Sequence, residues 1–130
     1  MLDYIYRIRY TISSKIRKTY IGDIMINEDK IKKLIDMGAT RWSKGGRDRL
    51  YLNRAYKELL DMKVSRYNSG NISNATIGGE DISNIMAARI IEFSRITYID
   101  IIKDEVVVDG METTRSDEFK KLIEEAIGKL

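Results

Sequence analysis

Residues 39–53 read ATRWSKGGRDRLYLN, with a glycine pair near the centre of two short alternating runs. Gly45-Gly46 suits the two positive-φ positions of a two-residue turn, the connection whose twist best matches a β-hairpin. With that turn, Lys44 stands opposite Arg47, Trp42 opposite Arg49, and Thr40 opposite Tyr51. Directly opposed residues share a face. One face therefore carries Thr40, Trp42, Lys44, Arg47, Arg49 and Tyr51, and the other Ala39, Arg41, Ser43, Asp48, Leu50 and Leu52. Leu50 and Leu52 assign the second face to the core, which turns a basic, aromatic face outward.

Before this segment, a helix is expected over 28–37. Asn27 caps it, Glu28 and Asp29 suit its first turn, Ile31, Leu34 and Ile35 form its apolar stripe, and Gly38 ends it. After the hairpin, Asn53 is placed to cap a short helix over 54–62. Residues 63–81, polar and rich in Gly and Asn, read as a second hairpin ending near Gly78-Gly79. Ile82, Met86, Ile90 and Phe93 mark one face of a helix over 83–94, with Glu80-Asp81 at its start. Residues 96–108 make a third hairpin turning near Lys103-Asp104. Ser116 is the expected cap of a last helix with Phe119, Leu122, Ile123, Ala126 and Ile127 inward. Towards the N-terminus, residues 4–12 alternate as a half-buried strand, and 16–26 read as its continuation. Helix followed by hairpin occurs twice, at 26–53 and 82–109, at an offset that matches Trp42 to Tyr98. The order of elements predicts a small single α+β domain over 1–130, with antiparallel hairpins alternating with about four short helices.

The composition narrows the chemistry. The 130 residues contain no Cys and no His. Disulfides, thiolate zinc sites, a cysteine nucleophile and the usual neutral-pH base are thereby excluded. Asp100, Asp104 and Glu105 gather at the third hairpin tip, but their spacing matches no Ca²⁺ loop, so no metal and no cofactor is expected. Glu118-x-Lys120 has the form of a nuclease fragment but falls in the last helix. Neither glycine pair belongs to a phosphate loop. No apolar run reaches membrane-spanning length, and no signal segment is read, so a cytoplasmic protein is expected. The net charge of +3 is unevenly spread. Residues 1–70 hold 16 Lys/Arg and 8 Asp/Glu, and residues 71–130 hold 7 and 12.

These features point to a binding protein rather than an enzyme. Trp42, Lys44, Arg47, Arg49 and Tyr51 are the candidate partner-binding residues, because Arg and Lys neutralise anions and aromatic rings stack on bases or fill interface pockets. Arg also forms a rigid donor fork for carboxylates, so the partner is expected to be a protein or nucleoprotein complex, with direct nucleic-acid contact open. The alternative for Trp42 is a buried ring with Arg49 laid over it.

The segment Arg41-Trp42-Ser43-Lys44-Gly45-Gly46-Arg47-Asp48-Arg49-Leu50-Tyr51-Leu52-Asn53 resembles an R-W-x-K-x-G-x-D-R-[L/I]-Y-[L/I]-N hairpin of small proteins from phages and mobile elements. Gly70–Ala75, Gly79–Asn84 and Tyr98-Ile99-Asp100 are similar to the same group. Some of its members are anti-CRISPR proteins. The resemblance implies a stoichiometric inhibitor that binds a CRISPR effector complex in the host bacterial cell. The alternative is a nucleic-acid-binding accessory protein that uses the basic hairpin directly.

Overall fold

A computed structural model describes residues 24–110 and 113–130. The strands expected over 4–12 and 16–26 lie outside these residues, except for 24–26, which carry no regular structure. Among the described residues the fold is a small single-domain α+β arrangement of four helices and two antiparallel sheets. In chain order the elements are α1 (Glu28–Met37), β1 (Thr40–Lys44), β2 (Arg47–Tyr51), α2 (Ala55–Leu59), β3 (Met62–Arg66), β4 (Ile72–Ile77), β5 (Glu80–Ile82), α3 (Asn84–Arg95), β6 (Thr97–Asp100), β7 (Glu105–Val108) and α4 (Thr114–Gly128).

The larger sheet has the order β1-β2-β6-β7, and the smaller is the meander β3-β4-β5. Both helix–hairpin units form, and their hairpins lie side by side in the larger sheet, joined where β2 pairs with β6. Helix α4 packs on β7, α3 on β4, and α2 touches α1, β3 and α4. Leu50 and Leu52 of β2, Ile99 of β6 and Val106 of β7 belong to one core with Ile31 and Leu34 of α1 and Ile123 and Ile127 of α4. Ile35, expected in the stripe of α1, is exposed instead. None of the described helices is long and apolar enough to cross a membrane.

Caps explain where the helices begin. The Asn27 carboxamide oxygen accepts from the Lys30 N–H at 2.9 Å, as expected, and Gly38 ends α1 at φ 121. Ser83 accepts from the Met86 N–H at 3.0 Å and starts α3. Helix α4 departs from expectation, since Thr113 is the cap. Ser116 is its reciprocal partner three residues in, with its hydroxyl accepting from the Thr113 N–H at 2.8 Å.

Three further expectations are corrected. Asn53 does not cap α2. It takes φ 49, and its amide nitrogen donates to Thr40 Oγ1 at 2.8 Å, so Arg54 holds the cap position without a side-chain bond. Asp61, at φ 49, ends α2 early and turns the chain into β3. Residues 63–81 form most of a three-stranded meander, not a hairpin. Glu80 and Asp81 pair with Ile77 and Thr76 in β5 and do not sit at a helix start.

Candidate functional site

The site is built on the first hairpin. Gly45 and Gly46 take φ 61 and 77, positive values at both central positions of the turn. The resulting register is the one the sequence predicts, with Trp42 opposite Arg49, Lys44 opposite Arg47 and Thr40 opposite Tyr51. Leu50 is 1% exposed and faces the core, so the alternate positions of β2 face away from it.

A second device fixes the tilt of the hairpin. The Arg41 guanidinium lies on the inner face with Asp48. It donates from Nε and Nη2 to Asp48 at 3.0 and 2.7 Å, and from Nη1 and Nη2 to Glu28 of α1 at 2.9 and 3.2 Å. Planar double forks of this kind constrain direction as well as distance. They raise the Arg41 pKa, and the hydrogen bonds from Arg41 hold the Asp48 carboxyl below its ordinary value. The hairpin is thus tied to the first turn of α1, and Asp48 binds the β6–β7 hairpin as well, its backbone carbonyl accepting from the Ile101 N–H at 2.9 Å.

The pairing of β2 with β6 extends the outer face. Arg49 stands opposite Asp100 and Tyr51 opposite Tyr98; one strand further, Asp100 stands opposite Glu105 and Tyr98 opposite Val107. The Arg49 guanidinium lies over the Tyr98 ring, 4.4 Å from its centroid, and Nη1 donates to the Tyr51 hydroxyl at 3.2 Å. The Tyr51 and Tyr98 rings are 5.5 Å apart. Burial raises the pKa of the Tyr98 phenol, and Arg49 opposes that rise.

The five candidate residues therefore divide. Arg49 and Tyr51 are partly buried members of an Arg–Tyr–Tyr stack. Trp42 is 39% exposed on β1, and Lys44 and Arg47 flank the turn in solvent. Arg49 does not cover Trp42. It turns towards β6, where the Tyr98 ring supplies its cation–π partner. Among the described residues, neither Lys44 nor Arg47 has an ion-pair partner.

Beside this stack a hollow of about 450 Å³ opens between the turn of the first hairpin and the turn that joins β6 to β7. Arg47, Arg49 and Lys103 stand on its walls with Asp100 and Glu105, and Tyr98 lies below. Sequence reasoning missed Tyr98, Asp100 and Glu105 as neighbours of the basic face. The one signal was the match of Tyr98 to Trp42 in the two helix–hairpin units. The acidic tip has its own structural role. Asp104 accepts from the Met25 and Ile26 N–H groups at 3.1 and 2.7 Å, and Asp100 accepts from the Lys103 N–H at 3.1 Å. Among the described residues, no three acidic side chains come together as a metal site would require.

This geometry supports recognition. It offers an exposed indole, two open cations and a mixed-charge hollow on one sheet. Comparison with protein families, curated proteins and solved structures yields no match to the chain.

Proposed function

We propose that the protein is a non-enzymatic, stoichiometric inhibitor of the anti-CRISPR kind, which seats the outer face of its first hairpin on a CRISPR effector complex and blocks target DNA binding or cleavage. The observation that carries the binding role is the exposed Trp42 beside Lys44 and Arg47 on a hairpin whose tilt is fixed by Arg41. Trp and Arg are the side chains most often found at interface hot spots, and a rigid support lowers the ordering cost of binding. The resemblance of residues 41–53 to the hairpin of phage and mobile-element proteins supports the choice of partner.

The mixed charge of the face favours a protein surface over bare nucleic acid. Asp100 and Glu105 share the hollow with Arg47 and Arg49, and a phosphate backbone laid across it would meet both signs. A protein surface can answer each charge in turn. The nucleic-acid accessory reading draws on Trp42, Lys44 and Arg47 alone, where a ring and two cations suit a single strand.

The test is titration of a purified effector complex with the protein, following target-DNA binding. Inhibition should saturate at a fixed stoichiometry without turnover, and Trp42→Ala with Arg47→Ala should weaken it. Full inhibition by that double variant would remove the hairpin from the interface. Tight, steeply salt-dependent binding to free DNA or RNA would favour the accessory protein instead.

A further inference from the structure

A second hollow, of about 420 Å³, lies between α2 and α3 and away from the Gly45-Gly46 turn. Asn53, Arg54, Tyr56 and Lys57 line it from the β2–α2 segment, and Ile91 and Arg95 from α3. Three of these six residues are cations, and none is a carboxylate. The mixed-charge hollow on the sheet differs in this respect. Arg54 and Lys57 are three residues apart at the start of α2, on neighbouring helical positions, and Arg95, the last residue of α3, lines the same hollow. Like charges gathered in this way repel one another, and an anion bound among them relieves that repulsion.

The backbone beneath the cations is firmly held. The Leu52 N–H donates to the Thr97 carbonyl at 3.1 Å, the Ala55 N–H to Leu52 at 2.9 Å and the Lys57 N–H to Arg54 at 3.1 Å. Asn53 is tied to Thr40 by its side-chain amide. Burial raises the pKa of the Tyr56 phenol, and the charges of Arg66, Arg54 and Arg95 oppose that rise. Among the described residues, the ion-pair partner of Arg95 is Glu92, 4.0 Å from its Nε in an exposed pair of the kind that contributes little.

We propose that this hollow is an anion site for a ligand bearing two or more phosphate charges, such as a diphosphate chain or the phosphorylated end of a nucleic-acid strand. The volume falls within the range of small-ligand sites, and Arg forks match phosphate oxygens in pairs. The site stands apart from the hairpin interface and does not depend on what that interface binds.

The test uses the full chain at low salt, with pyrophosphate as first probe and binding followed by calorimetry and amide shifts. Saturable one-to-one binding is expected. Arg54→Gln and Arg95→Gln should each weaken it about tenfold or more, as loss of a charge-assisted contact does. Lys44→Gln with Arg47→Gln should leave it within about twofold. Both sets should melt as the parent does; if Arg54→Gln does not fold, Arg95→Gln at the exposed helix end carries the test. A nucleoside diphosphate and a 5′-phosphorylated oligonucleotide then distinguish the two sources, according to which binds tighter than pyrophosphate. Absence of saturable binding, equal binding by the Arg54/Arg95 variants, or equal losses in the hairpin variants would overturn the proposal.

Discussion

Replacing Leu50 with Ala tests the register on which the candidate interface rests. Leu50 is 1% exposed, on a strand with neighbours on both sides, β1 and β6. Its cross-strand partners are Arg41, held by two carboxylates, and Ile99, fully buried. Removing three carbons costs about 2.4 kcal/mol in transfer alone, at roughly 0.8 kcal/mol for each. The cavity adds to this because flanking strands cannot close over it, which places the total at about 3–4 kcal/mol within the usual 2–5 kcal/mol range. For a domain of this size that lowers Tm by roughly 10–15 °C.

Arg47→Ala is the matched control, three residues away and on the opposite face. It should shift Tm by no more than about 2 °C, since exposed positions rarely affect stability. Melting followed by circular dichroism measures both variants. Trp42, the only Trp in the chain, gives a second reading through quenching by iodide, because an exposed indole is quenched in the folded protein. A Leu50→Ala shift below about 3 °C, or an Arg47→Ala shift as large as that of Leu50→Ala, would refute the reasoning. A one-residue slip exchanges the faces, and Trp42 and Arg47 would then belong to the core.

Other expected outcomes follow from the same structure. Gly46→Val should destabilise by about 1–2 kcal/mol, because a β-branched residue at φ 77 is strained, whereas Gly45→Asn should be nearly neutral in thermal melts. Asp48→Asn should cost roughly 1 kcal/mol at pH 7 by loosening Arg41. The folded-state pKa of Asp48 is depressed, so its contribution is present above the unfolded value of 3.8 and is lost as pH falls through the folded value. The difference between variant and parent should therefore close in acid denaturation series. Glu124 has the opposite sign. Burial raises its carboxyl from 4.5 to about 7, against the pull of Lys120 and with the push of Glu105 and Glu125. The folded state thus holds the extra proton, and stability falls as pH rises from 4.5 to about 7. Glu124→Gln should accordingly stabilise the protein at pH 8 by roughly 1–3 kcal/mol and have little effect at pH 4, as read from denaturant midpoints.

Local chemistry was legible in the sequence where a single residue type decides between conformations, and illegible where two conformations suit the same residue. The Gly45-Gly46 turn belongs to the first kind, because glycine takes positive φ at both central positions without strain, and the register of six side chains follows from it. Asn53 belongs to the second. Asn serves equally as a helix cap or in a left-handed turn, and Thr40 within hydrogen-bond reach across the sheet settles the matter. Thr113 and Ser116 are both caps by type, and only their reciprocal bonds order them. Glu80 and Asp81 look like helix-start acids until β4 pairs with them, because strand pairing outweighs a local preference.

The candidate site shows the larger limit. Its basic half is local to 40–51, but Tyr98, Asp100 and Glu105 arrive through the pairing of β2 with β6, which no short-range pattern encodes. That pairing also changes what the charge distribution means. Along the chain the cations gather before residue 70 and the acids after it. In the sheet, β1 and β2 from the basic half lie directly beside β6 and β7 from the acidic half. Segregation in sequence thus becomes mixing in space, and the hollow beside Arg49 holds both signs. Charge of one sign collects where the two halves meet differently, with Arg54 and Lys57 of the basic half facing Arg95, one of the few cations of the acidic half. The asymmetry along the chain suits a basic hairpin face, but in the structure the hollow beside that hairpin is mixed, and of the hollows described the one between α2 and α3 is the most one-sided.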